Sequence, residues 1–112
     1  MVTPARIKAA LWVAAALRLG TQNNQPGVVV RKGDEDAGGV LVRLHGRAGE
    51  VVLSAFQSEA GERAWLRATG PEPVAEDIAD AYIEKQLRID PDLWVLEFEA
   101  PGYLPPFAGK IV

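Results

Sequence analysis

The sequence predicts an α+β domain in the order N-terminal helix, four-strand antiparallel meander, second helix, final strand and irregular C-terminal tail, with both helices on one face of the sheet. Three observations carry that class. Apolar residues recur every three to four positions in two separated segments, as they do on amphipathic helices. Four short runs rich in β-branched and aromatic residues lie between those segments, joined by glycine-bearing links too short for parallel crossovers. A fifth run, residues 93–100, alternates with period two. A chain of 112 residues suffices for one core and not two, so residues 1–112 are read as a single domain, compact over 1–99 with a proline-rich apolar tail over 100–112.

The first helix lies in "MVTPARIKAALWVAAALRLG". Thr3 is placed to cap it, Pro4 occupies the first helical position, and Gly20 supplies the left-handed conformation that would end it. An export signal is the competing reading, but Arg18 stands where a small-residue cleavage site belongs. The apolar run also falls short of the roughly 20 residues that span a bilayer, so no membrane segment is expected. Ile7, Leu11 and Ala14 form one apolar stripe and Trp12, Val13 and Ala16 another, so this helix is expected to be buried on all sides or shared with a partner.

After the polar loop "TQNNQPG" come strand-like runs at residues 28–31, 39–45, 50–56 and 63–68, linked by "KGDEDAG", "GRAG" and "QSEAGE". The first link holds Asp34, Glu35 and Asp36 in succession. A calcium loop needs ligands at alternate positions, a central glycine and a closing bidentate acid; here Gly38 and Gly39 follow and no acid appears before Glu50. A phosphate cradle would not carry carboxylates beside it. The stretch is therefore read as a turn, with "VVVR" and "VLVR" pairing across it as a hairpin.

The second helix lies in "GPEPVAEDIADAYIEKQLRIDP", where Ala75, Ile78, Ala79, Tyr82, Ile83 and Ile89 gather on one face. Glu76, Asp80 and Glu84 make the opposite ridge, read as solvated rather than as an ion site. Acids open this helix and Lys85 and Arg88 close it, which suits its dipole, and Pro91 stops it. In the final strand Trp94, Leu96 and Phe98 alternate with Val95, Glu97 and Glu99, the pattern of a half-buried strand. Prolines 101, 105 and 106 argue against regular structure in the tail, yet Tyr103, Leu104, Phe107, Ile111 and Val112 call for a surface to pack on.

Catalytic chemistry is sparse. Without cysteine there is no disulfide, thiolate metal site or thiol nucleophile. The single histidine, His45, is read as a solvated residue near a strand end, and nothing brings it to Ser54 or Ser58. No catalytic residue, metal site or cofactor is expected. Alternation places Arg63, Trp65 and Arg67 on one strand face, with Arg43 and His45 sharing a side of another strand, a combination that single-strand nucleic-acid binders use to stack bases. The structural account, in which these arginines pair with Glu97 and Glu99 in a ladder, is favoured because the net charge is -3. Arg43, Arg63, Trp65, Arg67, Tyr103 and Phe107 are the candidate interaction residues.

"LWV", "RKGDEDAGGVLV" and above all "AYIEKQLRIDPDLWVLEFE" resemble the short bacterial proteins grouped as domain of unknown function 1491. The likeness covers roughly residues 5–99 and is most specific over 82–99, with the tail standing outside it. It implies a small one-domain cytoplasmic protein of bacteria and carries no activity over. The expected role is a non-catalytic binding or assembly module, self-associating as a homodimer through the first helix and the tail. A single-stranded nucleic-acid binder is the alternative, and a small enzyme ranks third.

Overall fold

A computed structural model describes residues 8–57 and 63–112. Helix α1 spans Ala9–Gln22 and is followed by β1 (Gly27–Arg31), β2 (Val40–Gly46), β3 (Gly49–Gln57), β4 (Arg63–Arg67), α2 (Glu76–Ile89), β5 (Trp94–Glu99) and β6 (Lys110–Ile111). Every helix and strand expected from the sequence has its counterpart, and the tail adds a short strand that its prolines argued against. Thr3 and Pro4, the expected helix start, and most of the "QSEAGE" link lie outside the described residues.

The strands form one mixed sheet among the described residues, in the order β1-β5-β2-β3-β4-β6. Pairs β1/β5, β2/β3 and β3/β4 are antiparallel, whereas β2/β5 and β4/β6 are parallel. The expected four-strand meander is therefore corrected to three strands, β2-β3-β4, and "VVVR" does not pair with "VLVR" because β5 lies between them. Stepping over one strand requires two interstrand spacings, roughly 10 Å, which a link of this length spans easily.

That link is built around β5. Asp34 N–H donates to the Asp92 carbonyl at 3.0 Å and Trp94 N–H to the Gly39 carbonyl at 2.9 Å. The indole Nε1–H of Trp94 donates to the Asp34 carbonyl at 2.7 Å. Asp34 Oδ2 accepts from the N–H groups of Asp36 and Ala37 at 3.1 and 2.8 Å, a local Asx-type turn. The carbonyls of Glu35 and Asp36 accept from Ala10 and Ala9 at 3.0 and 3.3 Å, so the loop satisfies first-turn donors of α1 that no side chain among the described residues caps. The acidic stretch turns the chain as expected, and it also caps a helix and anchors a strand.

The two helices cover opposite faces of the sheet, not the same one. Ala9, Val13 and Ala16 of α1 pack with Val40, Val42, Leu44, Leu53, Leu96 and Phe98, whereas Ala79 and Ile83 of α2 pack with Leu41, Val52 and Val95. The reason is legible in β2, whose "VLVRL" is apolar at both odd and even positions and so needs cover on both sides. β5 is likewise buried on both faces at Val95 and Leu96, which corrects the half-buried reading.

Gly20 does not end α1. It is buried inside the helix, where an added Cβ would lie 2.9 Å from the Phe98 ring and 2.5 Å from the Gln25 carbonyl oxygen. Glycine is there for close packing, and the chain leaves the helix only after Gln22. Part of α1 faces outward, with Leu11 63% exposed, so it is not enclosed on all sides within one chain.

The tail docks on its own chain. Phe107 sits in the α1-side core with ring centroids 5.1 Å from Trp12, 5.0 Å from Trp65 and 6.0 Å from Phe98. β6 adds to β4, and the Val112 N–H donates to the Trp65 carbonyl at 2.8 Å. The compact body consequently extends beyond residue 99. No helix among the described residues is long and apolar enough to cross a membrane.

Candidate functional site

The chemistry concentrates on the α2 side, around Arg43. This residue is the fourth of the seven in β2 and is in register with Val52 of β3 and Glu97 of β5, so its side chain rises from the middle of the sheet beneath α2. Only 7% of it is exposed. Nη1 donates to Asp80 Oδ1, Nη2 lies 3.4 Å from Glu50 Oε1 and 3.4 Å from the Glu76 carbonyl, and Nε lies 3.4 Å from Glu97 Oε1. Burial pulls the guanidinium pKa down, but the hydrogen bond and charge of Asp80 and the charge of Glu50 outweigh it, and the net shift is upward. The arginine is thus a fixed cation tying β2, β3, α2 and β5 together.

Glu50 is the buried counterpart, 3% exposed at the start of β3. It faces His45 across the tight β2–β3 hairpin, and Oε1 accepts from His45 Nδ1 at 2.8 Å. That hydrogen bond and the Glu50 charge raise the imidazole pKa above its ordinary 6.5, with Glu99 and Glu97 adding to the effect. Oε2 of Glu50 is buried and has no hydrogen-bond partner among the described residues. His45 itself is half-exposed on an interior strand, engaged by an acid rather than simply solvated.

Beside this network lies a groove of about 250 Å3 lined by Val30, Arg43, Asp80, Ile83, Glu84, Val95 and Glu97. Its floor is apolar, from Val30, Ile83 and Val95. Asp80, Glu84 and Glu97 set three carboxylates around one arginine that is already paired. Such a groove has chemical complementarity to a cation on an aliphatic stem.

The structure parts the candidate interaction residues. Arg43 is on the α2 side, whereas Trp65 is fully buried in the α1-side core, where Arg63 and Arg67 flank it at alternate positions of β4. With no exposed ring face, Trp65 offers no stacking platform, and the basic-aromatic face expected from the sequence is not assembled. The Arg63 guanidinium stacks over Trp12, 4.5 Å from the ring centroid. Tyr103, held at φ 56°, accepts from Ala48 N–H at 2.8 Å and donates to the Gly49 carbonyl at 3.1 Å, clamping the hairpin, and its ring packs where any side chain on Gly46 would stand. Phe107 is core. Of the expected exposed arginine-glutamate ladder, the Arg43–Glu97 pair forms on adjacent strands in register, with the arginine buried, while β2 and β3 separate Arg63 and Arg67 on β4 from β5.

Ser54 is hydrogen-bonded with Tyr82, whose phenol pKa is raised by burial, a rise that this bond partly offsets. No serine-histidine pair results for Ser54, and Ser58 lies outside the described residues. Sequence reasoning missed Glu50, Val30, Ile83 and Val95 as site residues and read Asp80 and Glu84 as part of a solvated ridge, although Asp80 accepts from the buried Arg43 and both line the groove. The signal for Glu50 was available, because "HGRAGE" closes a hairpin through Arg47 and Ala48 that sets His45 opposite Glu50.

Residues 7–108 match the family described as "Protein of unknown function (DUF1491)". The match takes in most of the tail, which the sequence resemblance had left outside. A crystal structure of a DUF1491 family protein from Caulobacter crescentus CB15 is similar with a TM-score of 0.83 at 33% identity, covering 96% of this chain and 100% of the other. An NMR structure of a DUF1491 family protein from the same organism gives 0.82 at 32% identity, covering 97% and 99%. A solution structure of a protein from A. tumefaciens gives 0.77 at 26% identity, covering 95% and 98%. No curated protein matches the chain. With the family matched over nearly its whole length and the fold shared end to end, this chain belongs to the DUF1491 family.

Proposed function

We propose that this protein is a small non-catalytic binding module whose working surface is the α2-side groove, and that the groove receives a basic side chain from a protein partner. The observation that carries this reading is the pairing of an apolar floor with a carboxylate rim whose one arginine is already engaged by Asp80, Glu50 and Glu97. A lysine or arginine can lay its stem on Val30, Ile83 and Val95 and bring its charge to Glu84 and Glu97. Self-association as a homodimer belongs to the same reading. The cytoplasm is the proposed location, with which a chain lacking cysteine is compatible.

The test is calorimetric titration with a lysine-rich peptide, an acidic peptide and a single-stranded oligonucleotide. Saturable binding of the basic peptide alone is expected, weakening with salt. Glu84→Gln and Glu97→Gln should each lower affinity by about 2- to 5-fold, since an exposed ion pair is worth up to about 1 kcal/mol. Absence of basic-peptide binding by the protein in monomeric form, or tighter binding of the oligonucleotide, overturns the reading.

A further inference from the structure

We propose that the partner of the α2-side groove is a second copy of this chain, joined by antiparallel pairing of the two β1 strands about a two-fold axis, with Arg31 of each copy directed to the carboxylates of the other. The inference rests on reading the groove as a site for basic side chains and names the segment that supplies one.

The two edges of the sheet are unequal. β6 is two residues long and begins with Lys110, a short charged edge of the kind that discourages further pairing. β1 is five residues long and, among the described residues, pairs only with β5 and leaves its other side open. Val28, Val29 and Val30 are 57%, 40% and 58% exposed, and neither a proline nor a charge interrupts them. Three consecutive exposed valines on an open edge form an apolar template for another strand.

Self-complementarity selects the occupant. An antiparallel pairing centred on Val29 sets Val28 opposite the second copy's Val30, with its Arg31 carried to the same face by the irregularity that follows Val29, and the two-fold repeats each contact. Val28 is in register with Glu97 of β5, on the α2 side of the sheet. The incoming Arg31 therefore arrives beside Glu97, with Glu99 two residues along on the same face. The faces also agree: the irregularity between Val29 and Arg31 brings Arg31 into register with Val95, on the α2 side, while Val30 lines the groove. Arg31 now donates to the Pro91 carbonyl at 3.1 Å through Nη2, one donor of the five a guanidinium carries.

Size-exclusion chromatography with light scattering, run on the full chain with circular dichroism to verify folding, tests the proposal. The parent is expected at twice the 12.1 kDa chain mass. Val29→Lys places like charges at the centre of the pairing and should yield a folded monomer. Arg31→Glu changes an exposed side chain, with loss of its hydrogen bond to Pro91, and should weaken the dimer at least tenfold, while Arg31→Glu combined with Glu99→Arg should restore it. A monomeric parent, or a Val29→Lys protein that is folded and still dimeric, overturns the proposal. Basic-peptide titration separates it from the groove reading. Peptide binding by a monomeric parent overturns self-pairing alone, whereas a β1-dependent dimer whose Val29→Lys monomer ignores the peptide supports self-pairing and overturns the groove.

Discussion

The acids around Arg43 have very different access to water, and that difference decides what losing the arginine would cost. Asp80 and Glu97 stand at the groove, with side chains 53% and 38% exposed, so either can hydrate if its arginine partner is lost. Glu50 cannot, because its side chain is 4% exposed. Arg43→Met should therefore cost about 3–5 kcal/mol in chemical denaturation, chiefly by leaving Glu50 buried with only a half-exposed histidine as partner. Arg43→Met with Glu50→Gln should recover a clear part of that loss, and a double variant as unstable as the single one would contradict this account. His45 adds a pH dependence whose sign follows from its raised pKa. Its contribution is complete below the unfolded value near 6.5 and disappears as pH rises through the higher folded value. The gap in melting temperature between the parent and His45→Gln should therefore be widest below about pH 6.5 and narrow as pH rises above it, with solvent screening at this half-exposed ring keeping it small. A constant gap would show that His45 acts through shape and not charge.

Gly20 sets two local effects against each other within α1. Alanine is favoured over glycine in a helix interior by about 1 kcal/mol. Its Cβ would, however, press on the Phe98 ring and the Gln25 carbonyl, which overpacking estimates put at about 1–3 kcal/mol. Gly20→Ala should thus destabilise, whereas Ala14→Gly on the exposed side of the same helix should cost only the propensity. A more stable Gly20→Ala would show that the helix can shift away from β5. The same glycine marks where sequence reasoning met its limit. Helices and strands were legible because their periods are local, and Pro91 did stop α2. Strand order was not, since nothing near β1 or β2 in the chain reveals that β5 enters between them. Placement of the helices was half-legible: the double apolar character of "VLVRL" called for cover on both faces, but alternation in β5 suggested only one. At the candidate site the Arg43–Glu97 pair could be read from strand faces, whereas the groove required α2, β1 and β5 to meet, which no local pattern encodes.

The tail closes the molecule, and its aromatic residue makes that dependence measurable. Phe107 fills the space bounded by Trp12, Trp65 and Phe98, residues contributed by α1, β4 and β5. A gap there would touch every layer of the α1-side core at once. Phe107→Ala should accordingly cost about 3–5 kcal/mol and shift tryptophan emission to longer wavelength as water approaches Trp12 and Trp65. Leu104, three residues earlier and 61% exposed, is the control: Leu104→Ala should stay within about half a kcal/mol. Removing residues 101–112 should be at least as damaging as Phe107→Ala, because it also deletes β6 and the Tyr103 clamp on the β2–β3 hairpin. Self-pairing through β1 gives this truncation a second readout. β1 lies at the opposite edge of the sheet from β6, so whatever truncated protein remains folded should still associate as the parent does. A truncation that keeps the parent's melting temperature but becomes monomeric would reverse both expectations, showing that the tail serves the partner and not its own core.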